Sequence, residues 1–236
     1  RLVFDEFFLF ILQVQLQKEQ KVKIPNDYPI QNETVVPYLL SHLPYELTKA
    51  QKKCLDEITD DMKKGTAMQR LVQGDVGSGK TIVAFLCMAL MGENGHQSAL
   101  MAPTEVLARQ HYETFTNMCA EYSLDRKVIL LTGSLTAREK RRAYEDMQMY
   151  PDAMIIGTQA LIQEKALYSN LGLVVTDEQH RFGVRQREMF AGKGLHPHIL
   201  VMSATPIPRT LAIIIYGDMD ISVIDEVPAR RLPNKN

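Results

Sequence analysis

From Leu47 onward, short runs of β-branched and aliphatic residues alternate with longer stretches whose apolar positions recur at helical spacing. The short runs predict strands at Arg70–Gln73, Ser98–Ala102, Lys127–Thr132, Ala153–Gly157, Gly172–Thr176, His198–Ser203 and Ile221–Asp225. The stretches between them predict helices at Lys49–Lys63, Gly79–Gly92, Glu105–Glu121, Ala137–Met149, Gln186–Ala191 and Ile207–Tyr216. Strands that are apolar throughout are covered on both faces, and strands spaced by helices pair in parallel. The pattern therefore predicts an α/β fold, a mostly parallel β-sheet with helices on both faces.

The first part of the chain reads differently. Leu2 to Leu16 carries bulky apolar residues on nearly every face of a helical pattern, which calls for partners on more than one side. Pro25 to Pro37, with Pro25, Asn26, Asp27, Pro29 and Asn32, reads as an irregular connector.

Composition narrows the class. The chain has 236 residues, 45% of them hydrophobic, with 27 Lys+Arg against 28 Asp+Glu and a net charge of −1. That is enough apolar material for a buried core, and extensive disorder is excluded. The charge balance excludes a basic-arm type of nucleic-acid footprint, while leaving open contacts made by hydroxyls and backbone N–H groups. Cys54, Cys87 and Cys119 are widely spaced and form no CxxC pair, so neither a zinc site nor a disulfide framework is expected, and a reducing cytoplasmic location fits. The longest apolar stretch, Phe7 to Leu12, is far short of the roughly 20 residues that span a bilayer. The chain begins at Arg1 and ends on Asn234-Lys235-Asn236, which leads to the expectation that it is a piece of something longer.

The chemistry begins after the first strand. Gly74-Asp75-Val76-Gly77-Ser78-Gly79-Lys80-Thr81 matches GxxxxGK[ST] in full and runs straight into the helical Ile82-Val83-Ala84-Phe85-Leu86. Glycines let backbone N–H groups curl around phosphate oxygens, and the following helix offers its positive end. Lys80 is expected to reach the β- and γ-phosphates, and the Thr81 hydroxyl to sit on Mg²⁺. A second segment, Leu173-Val174-Val175-Thr176-Asp177-Glu178, is an apolar strand ending in two carboxylates. At the C-terminal edge of a parallel sheet, Asp177 is placed to hold the Mg²⁺ shell and Glu178 to orient the attacking water. By itself the pair also suits an acidic helix N-terminus; the phosphate loop tips the balance.

These residues carry a resemblance. Asp177-Glu178-Gln179-His180 resembles the DExH box of superfamily-two helicases, and Ser203-Ala204-Thr205 resembles their motif III. With the longer runs Asp177 to Val184 and Ser203 to Leu211, the chain is similar to the RecG family of bacterial branch-migrating DNA translocases. The Mfd family of transcription-repair translocases is similar in the same places, but its acidic box usually reads DEEQRFGV, so Gln179-His180 favours the former. The resemblance implies a RecA-like P-loop NTPase fold that uses ATP and Mg²⁺, with Lys80, Asp177 and Glu178 catalytic and Gly74 to Thr81 cradling the nucleotide.

It also implies roles that spacing alone does not give. Gln51, in Leu47-Thr48-Lys49-Ala50-Gln51, corresponds to an adenine-reading glutamine, with Tyr45 as a stacking partner; the plainer alternatives are a solvated helix residue and a surface tyrosine. His180, Ser203 and Thr205 would couple the nucleotide site to DNA. Pro103 and Thr104 fall in a motif Ia, Thr132 and Gly133 in a TG motif and Thr158 in a motif Ib, the loops that touch the DNA backbone in the family. Thr104 and Thr158 suit plain helix caps equally well. The basic run Arg138 to Arg142 reads as a solvated helix face.

The expected organisation is residues 1–46 as an N-terminal linking helix and connector, 47–228 as the first motor domain, and 229–236 as the start of a linker to a second. The resemblance implies an ATP-dependent double-strand DNA translocase acting on stalled forks and Holliday junctions in repair and recombination. Its partners would be branched DNA, a second RecA-like domain and an N-terminal wedge domain in cis, and a single-strand DNA-binding protein, with no membrane. A motor half alone is expected to be nearly inactive. An Mfd-like motor, or a DNA-independent P-loop switch or kinase, stand as alternatives.

Overall fold

The computed structural model describes residues 24–178, 196–204 and 219–226. Five helices and seven strands are present among them: α1 (Val35–His42), α2 (Lys49–Lys63), β1 (Gln69–Gly74), α3 (Lys80–Glu93), β2 (Gln97–Met101), α4 (Glu105–Glu121), β3 (Val128–Leu131), α5 (Ala137–Met149), β4 (Met154–Gly157), β5 (Leu171–Glu178), β6 (His198–Ser203) and β7 (Asp220–Ile224). A 3₁₀ turn, Gln159–Ile162, follows β4. The strands form one sheet in the order β3-β4-β2-β5-β6-β1-β7, and every adjacent pair is parallel.

The two faces of the sheet read directly from the period-two alternation of its strands. Val72, Leu100, Ile156, Val175 and Leu200 belong to the core on one face. Leu71, Ala99, Ile155, Val174 and Val201, each a neighbour in sequence, belong to the core on the other. The first core is the larger and takes α3, whose residues Ile82 to Gly92 are all buried, because α1 and α2 cover the side that the sheet does not. Phe85 of α3 meets Phe115 of α4 edge-on at 5.1 Å between ring centroids. α5 lies along β3 and contributes Ala143 and Met147 to the second core.

The segment read as an irregular connector is built into this body. Asn26 donates from Nδ2 to the carbonyls of Met62 (2.9 Å) and Lys64 (2.8 Å). Asn94 Oδ1 accepts from the N–H groups of Gln31 (2.8 Å) and Asn32 (2.9 Å). The Glu93 carboxylate accepts from the backbone N–H groups of Thr34 and Val35, both at 3.1 Å, and from the Thr34 hydroxyl, so it caps α1 from the end of α3. Helix α1 was not expected, because Pro37 argues against a helix interior. Pro37 stands instead in the first turn, where no intrahelical N–H is required. Residues 24–46, within the segment read as a connector, thus pack against α2 and α3 and contribute Ile30 and Leu39 to the first core. The apolar Leu2 to Leu16 pattern and the helices expected at 186–191 and 207–216 lie outside the described residues.

A buried ion network ties α2 to the sheet edge. Arg70, 8% exposed, donates to Asp61 Oδ2 from Nε (2.8 Å) and Nη2 (2.6 Å), and from Nη1 to Glu57 (3.1 Å) and Ser222 (2.8 Å). The central strands β5, β6 and β1 are adjacent and parallel, so they end side by side with their C-terminal tips on one rim.

Candidate nucleotide site

β1 delivers its last residue, Gly74, to this rim, and the loop that follows turns back into α3. Gly79 caps α3 in a left-handed conformation, φ +83°, and a Cβ there would lie 2.1 Å from Gln51 Nε2. Gly74 is held as closely: a Cβ would meet Ser78 Oγ at 2.5 Å and the Ile224 carbonyl of β7 at 2.9 Å. Both positions exclude a side chain, Gly79 by conformation and contact, Gly74 by contact alone. The loop surface, Asp75, Val76 and Gly77, is exposed, while Ser78 is buried beneath it.

Lys80 turns its ammonium into the loop, donating to the carbonyls of Gly74 and, at 2.8 Å, Asp75. Partial burial draws its pKa below the ordinary lysine value, and the charges of Asp177 and Asp75 pull it back. Lys80, at the start of α3, and Asp177, near the end of β5, thus lie close enough for the carboxylate charge to act on the ammonium. Thr81, one residue into α3, is partly exposed at the same place.

Asp177 lies near the end of β5 on the face of Leu173 and Val175, where α3 and α4 pack. Its Oδ2 is 2.8 Å from Nε2 of His111, a residue that sequence reasoning passed over. Glu178 is the last residue of β5 and pairs in register with Ser203 of β6, which pairs in turn with Gln73 of β1. The motif III serine therefore stands in the sheet between the second acidic residue and the strand that feeds the phosphate loop. Ser203 is buried; His180 and Thr205 lie outside the described residues.

Gln51 is not a solvated helix residue. It is 1% exposed and closes a capping box at the start of α2, where Thr48 Oγ1 accepts from Gln51 N (3.2 Å) and Gln51 Oε1 from Thr48 N (2.8 Å). Its Nε2 donates to the Ser78 carbonyl at 2.7 Å, so the glutamine fastens the phosphate loop to α2. Tyr45, in the turn between α1 and α2, is 36% exposed.

The three loops expected to meet DNA emerge beyond β2, β3 and β4, on the same rim. Pro103 and Thr104 are exposed, and Thr104 Oγ1 caps α4 by accepting from Leu107 N at 3.3 Å, which leaves its O–H free to donate. Thr158 is half-buried at the start of the 3₁₀ turn and makes no side-chain cap. Thr132 departs from expectation: it is fully buried, its Oγ1 directed to Ser134 Oγ at 3.4 Å, so the loop presents Gly133 and Ser134 rather than the Thr132 hydroxyl. Glu105 joins the first two loops, since its Oε1 accepts from Ser134 N at 2.9 Å. Hydrogen bonding from the Ser134 side chain, and secondarily from its backbone N–H, holds the Glu105 carboxyl below the ordinary glutamate value.

The donor set suits Mg²⁺. Among the described residues no cluster of three or more His, Cys, Asp or Glu could hold a metal by itself. Mg²⁺ at a nucleotide site takes one or two protein oxygens and fills its shell with phosphate and water, and the Thr81 hydroxyl and Asp177 carboxylate are oxygens of that kind. No helix of the described residues is long and apolar enough to cross a membrane.

Residues 48–214 match the DEAD/DEAH box helicase family. The chain is 48% identical over 233 residues to the ATP-dependent DNA helicase RecG of Aquifex aeolicus (strain VF5), a match that covers 98% of this chain and 29% of that protein. With RecG of Streptococcus pneumoniae it shares 49% identity over 234 residues, covering 99% of this chain and 34% of the relative. A solved structure of RecG bound to a three-way DNA junction matches with a TM-score of 0.75 and 37% identity, over 99% of this chain and 30% of that one. The chain thus spans about a third of the length of the curated relatives it matches. None of these three is a transcription-repair translocase or a DNA-independent switch.

Proposed function

The chain belongs to the DEAD/DEAH box helicase family, and on that premise we propose that residues 47–228 are the first RecA-like motor domain of a RecG-type, ATP-driven double-strand DNA translocase. Residues 24–46 complete that domain, and 229–236 lead toward a second one. The observation that carries this reading is the parallel sheet that ends β1, followed by the Gly74–Thr81 loop, and β5, carrying Asp177, on one rim, beside loops suited to phosphate backbones.

The loop backbone from Gly74 to Thr81 cradles the β- and γ-phosphates, and Lys80 exchanges its own loop carbonyls for phosphate oxygens. Thr81 and Asp177 hold Mg²⁺, which when bound neutralises charge on those phosphates. Glu178 orients the water for in-line attack on the γ-phosphate, and an arginine from a second RecA-like domain completes the site. Gln51 fixes the loop at its adenine end, with Tyr45 as the aromatic neighbour. Pro103, Thr104, Gly133 and Thr158 grip DNA phosphates without reading bases. Ser203, between Glu178 and Gln73 in the sheet, joins hydrolysis to that grip together with His180 and Thr205.

In the whole protein this motor would act on stalled forks and Holliday junctions, working with a wedge domain and alongside a single-strand DNA-binding protein. The test is displacement of a third strand from duplex DNA by the full-length protein. ATP-dependent displacement that Lys80→Ala abolishes, with forked-DNA binding retained, is the expected result. A full-length protein that neither binds nor moves on DNA overturns the reading.

A further inference from the structure

Helix α4 lays Ala108, His111, Phe115 and Cys119 along its buried face, a spacing that turns all four toward the sheet. Three of them are apolar or nearly so; the imidazole of His111 is not. It is 9% exposed and stands edge-on to Phe115, with ring centroids 6.2 Å apart. A polar group so placed is costly unless it is hydrogen-bonded. Its Nε2 meets Asp177 Oδ2 at 2.8 Å, across 66 residues of sequence. A carboxylate only accepts, so this nitrogen carries the hydrogen and the imidazole is the donor.

Asp177 has its own reason to need a partner. Its side chain is 29% exposed near the C-terminal end of β5, and the alternation of the strand turns it to the α4 side. Without a second contact the carboxylate is free to rotate about χ2, a broad torsion with weak intrinsic preference. With Oδ2 engaged by His111, the other carboxylate oxygen remains to serve as a ligand.

We infer that His111 is a positioning residue: by holding Asp177 Oδ2 it aims the remaining carboxylate oxygen at the Mg²⁺ and nucleotide end of the phosphate loop. This role rests on the reading of Asp177 as an Mg²⁺-holding group. In this role His111 acts through the Asp177 carboxylate. Partners of this kind fix the orientation of ligating groups, and their loss weakens metal affinity by about 10–100-fold.

The test measures how far Mg²⁺ tightens binding of a fluorescent ADP analogue to the full-length protein. His111→Gln puts an amide N–H near the position of Nε2, whereas His111→Asn is too short to reach Oδ2, and His111→Leu removes the donor. The glutamine variant is expected to keep the Mg²⁺ effect, and the asparagine and leucine variants to lose about tenfold or more of it. Thermal unfolding without nucleotide accompanies each variant; the glutamine and asparagine forms serve if the leucine form fails to fold. An undiminished Mg²⁺ effect in His111→Asn, or an equal loss in His111→Gln, overturns the inference while the nucleotide site stands. Absence of any Mg²⁺-dependent nucleotide binding in the unsubstituted protein instead removes the reading of the site itself.

Discussion

Gln51→Ala separates what holds the phosphate loop from what reads the nucleotide. The side chain is 1% exposed, accepts from Thr48 N at 2.8 Å and donates to the Ser78 carbonyl at 2.7 Å. Removing it deletes two hydrogen bonds, each worth about 1 kcal/mol net, and strands a buried carbonyl at a further cost of about 1–3 kcal/mol. The sum is about 3–5 kcal/mol, a fall in melting temperature of roughly 6–20 °C for a chain of this size. Urea unfolding of the 236-residue chain, with no nucleotide present, measures it directly. Gln51→Glu sharpens the result: it keeps the acceptor toward Thr48 but sets a carboxylate oxygen against the Ser78 carbonyl, so it is expected to be no more stable than the alanine form. If Gln51→Ala unfolds within about 0.5 kcal/mol of the unsubstituted chain, the range of an ordinary surface substitution, while losing nucleotide affinity, the glutamine reads adenine only and does not fasten the loop.

Arg70→Met leaves Asp61 and Glu57 without their buried guanidinium and is expected to cost about 3–5 kcal/mol in denaturant unfolding; a loss below 1 kcal/mol contradicts the network described for α2, β1 and β7. Burial lowers the pKa of His198, whose Nδ1 accepts from Met68 N at 2.9 Å and whose Nε2 donates to the Tyr28 carbonyl at 3.1 Å. With the folded-state value below the unfolded value of 6.5, this contribution to stability is complete above that pH and is lost as pH falls through the folded-state value. His96, lowered for the same reason, adds to the decline. Urea midpoints at pH 7.5 and 5.5 are expected to differ more in the unsubstituted chain than in His198→Gln, and equal differences argue against it. Thr104→Val removes the α4 cap, with an expected loss of about 1 kcal/mol, and weakens forked-DNA binding in the full-length protein, whereas Thr104→Ser preserves both; unchanged binding in the valine form removes Thr104 from the DNA surface.

Much of this architecture is legible in the residues. α2, α4 and α5 begin where Thr48, Thr104 and Thr136 cap them, because a hydroxyl one residue before an apolar-periodic run is a local signal. The strands lie within one or two residues of expectation, since apolar runs between helices leave little choice of register. What escaped were features with a distant partner. α1 depends on Glu93 for its cap, and Pro37 hides it from local propensity. The resemblance marks Gln51 as an adenine contact, but its bond to the Ser78 carbonyl, 27 residues on, shows only when α2 and the loop are brought together. Thr132 fits a phosphate-contacting motif by type, and only packing shows that its hydroxyl is enclosed. His111 did leave a trace, a polar residue on the stripe of Ala108, Phe115 and Cys119, but its partner is named only when β5 and α4 are brought together.

The central claim is that Lys80 and Asp177 make one ATP site whose turnover is governed by DNA held on the neighbouring loops. Steady-state ATP hydrolysis by the full-length protein, with and without forked duplex DNA, tests it most directly, with Asp177→Asn as the control. The expected outcome is slow hydrolysis alone, strong stimulation by the fork, and loss of both in Asp177→Asn. Hydrolysis that is the same with and without DNA, or that survives in Asp177→Asn, contradicts the account.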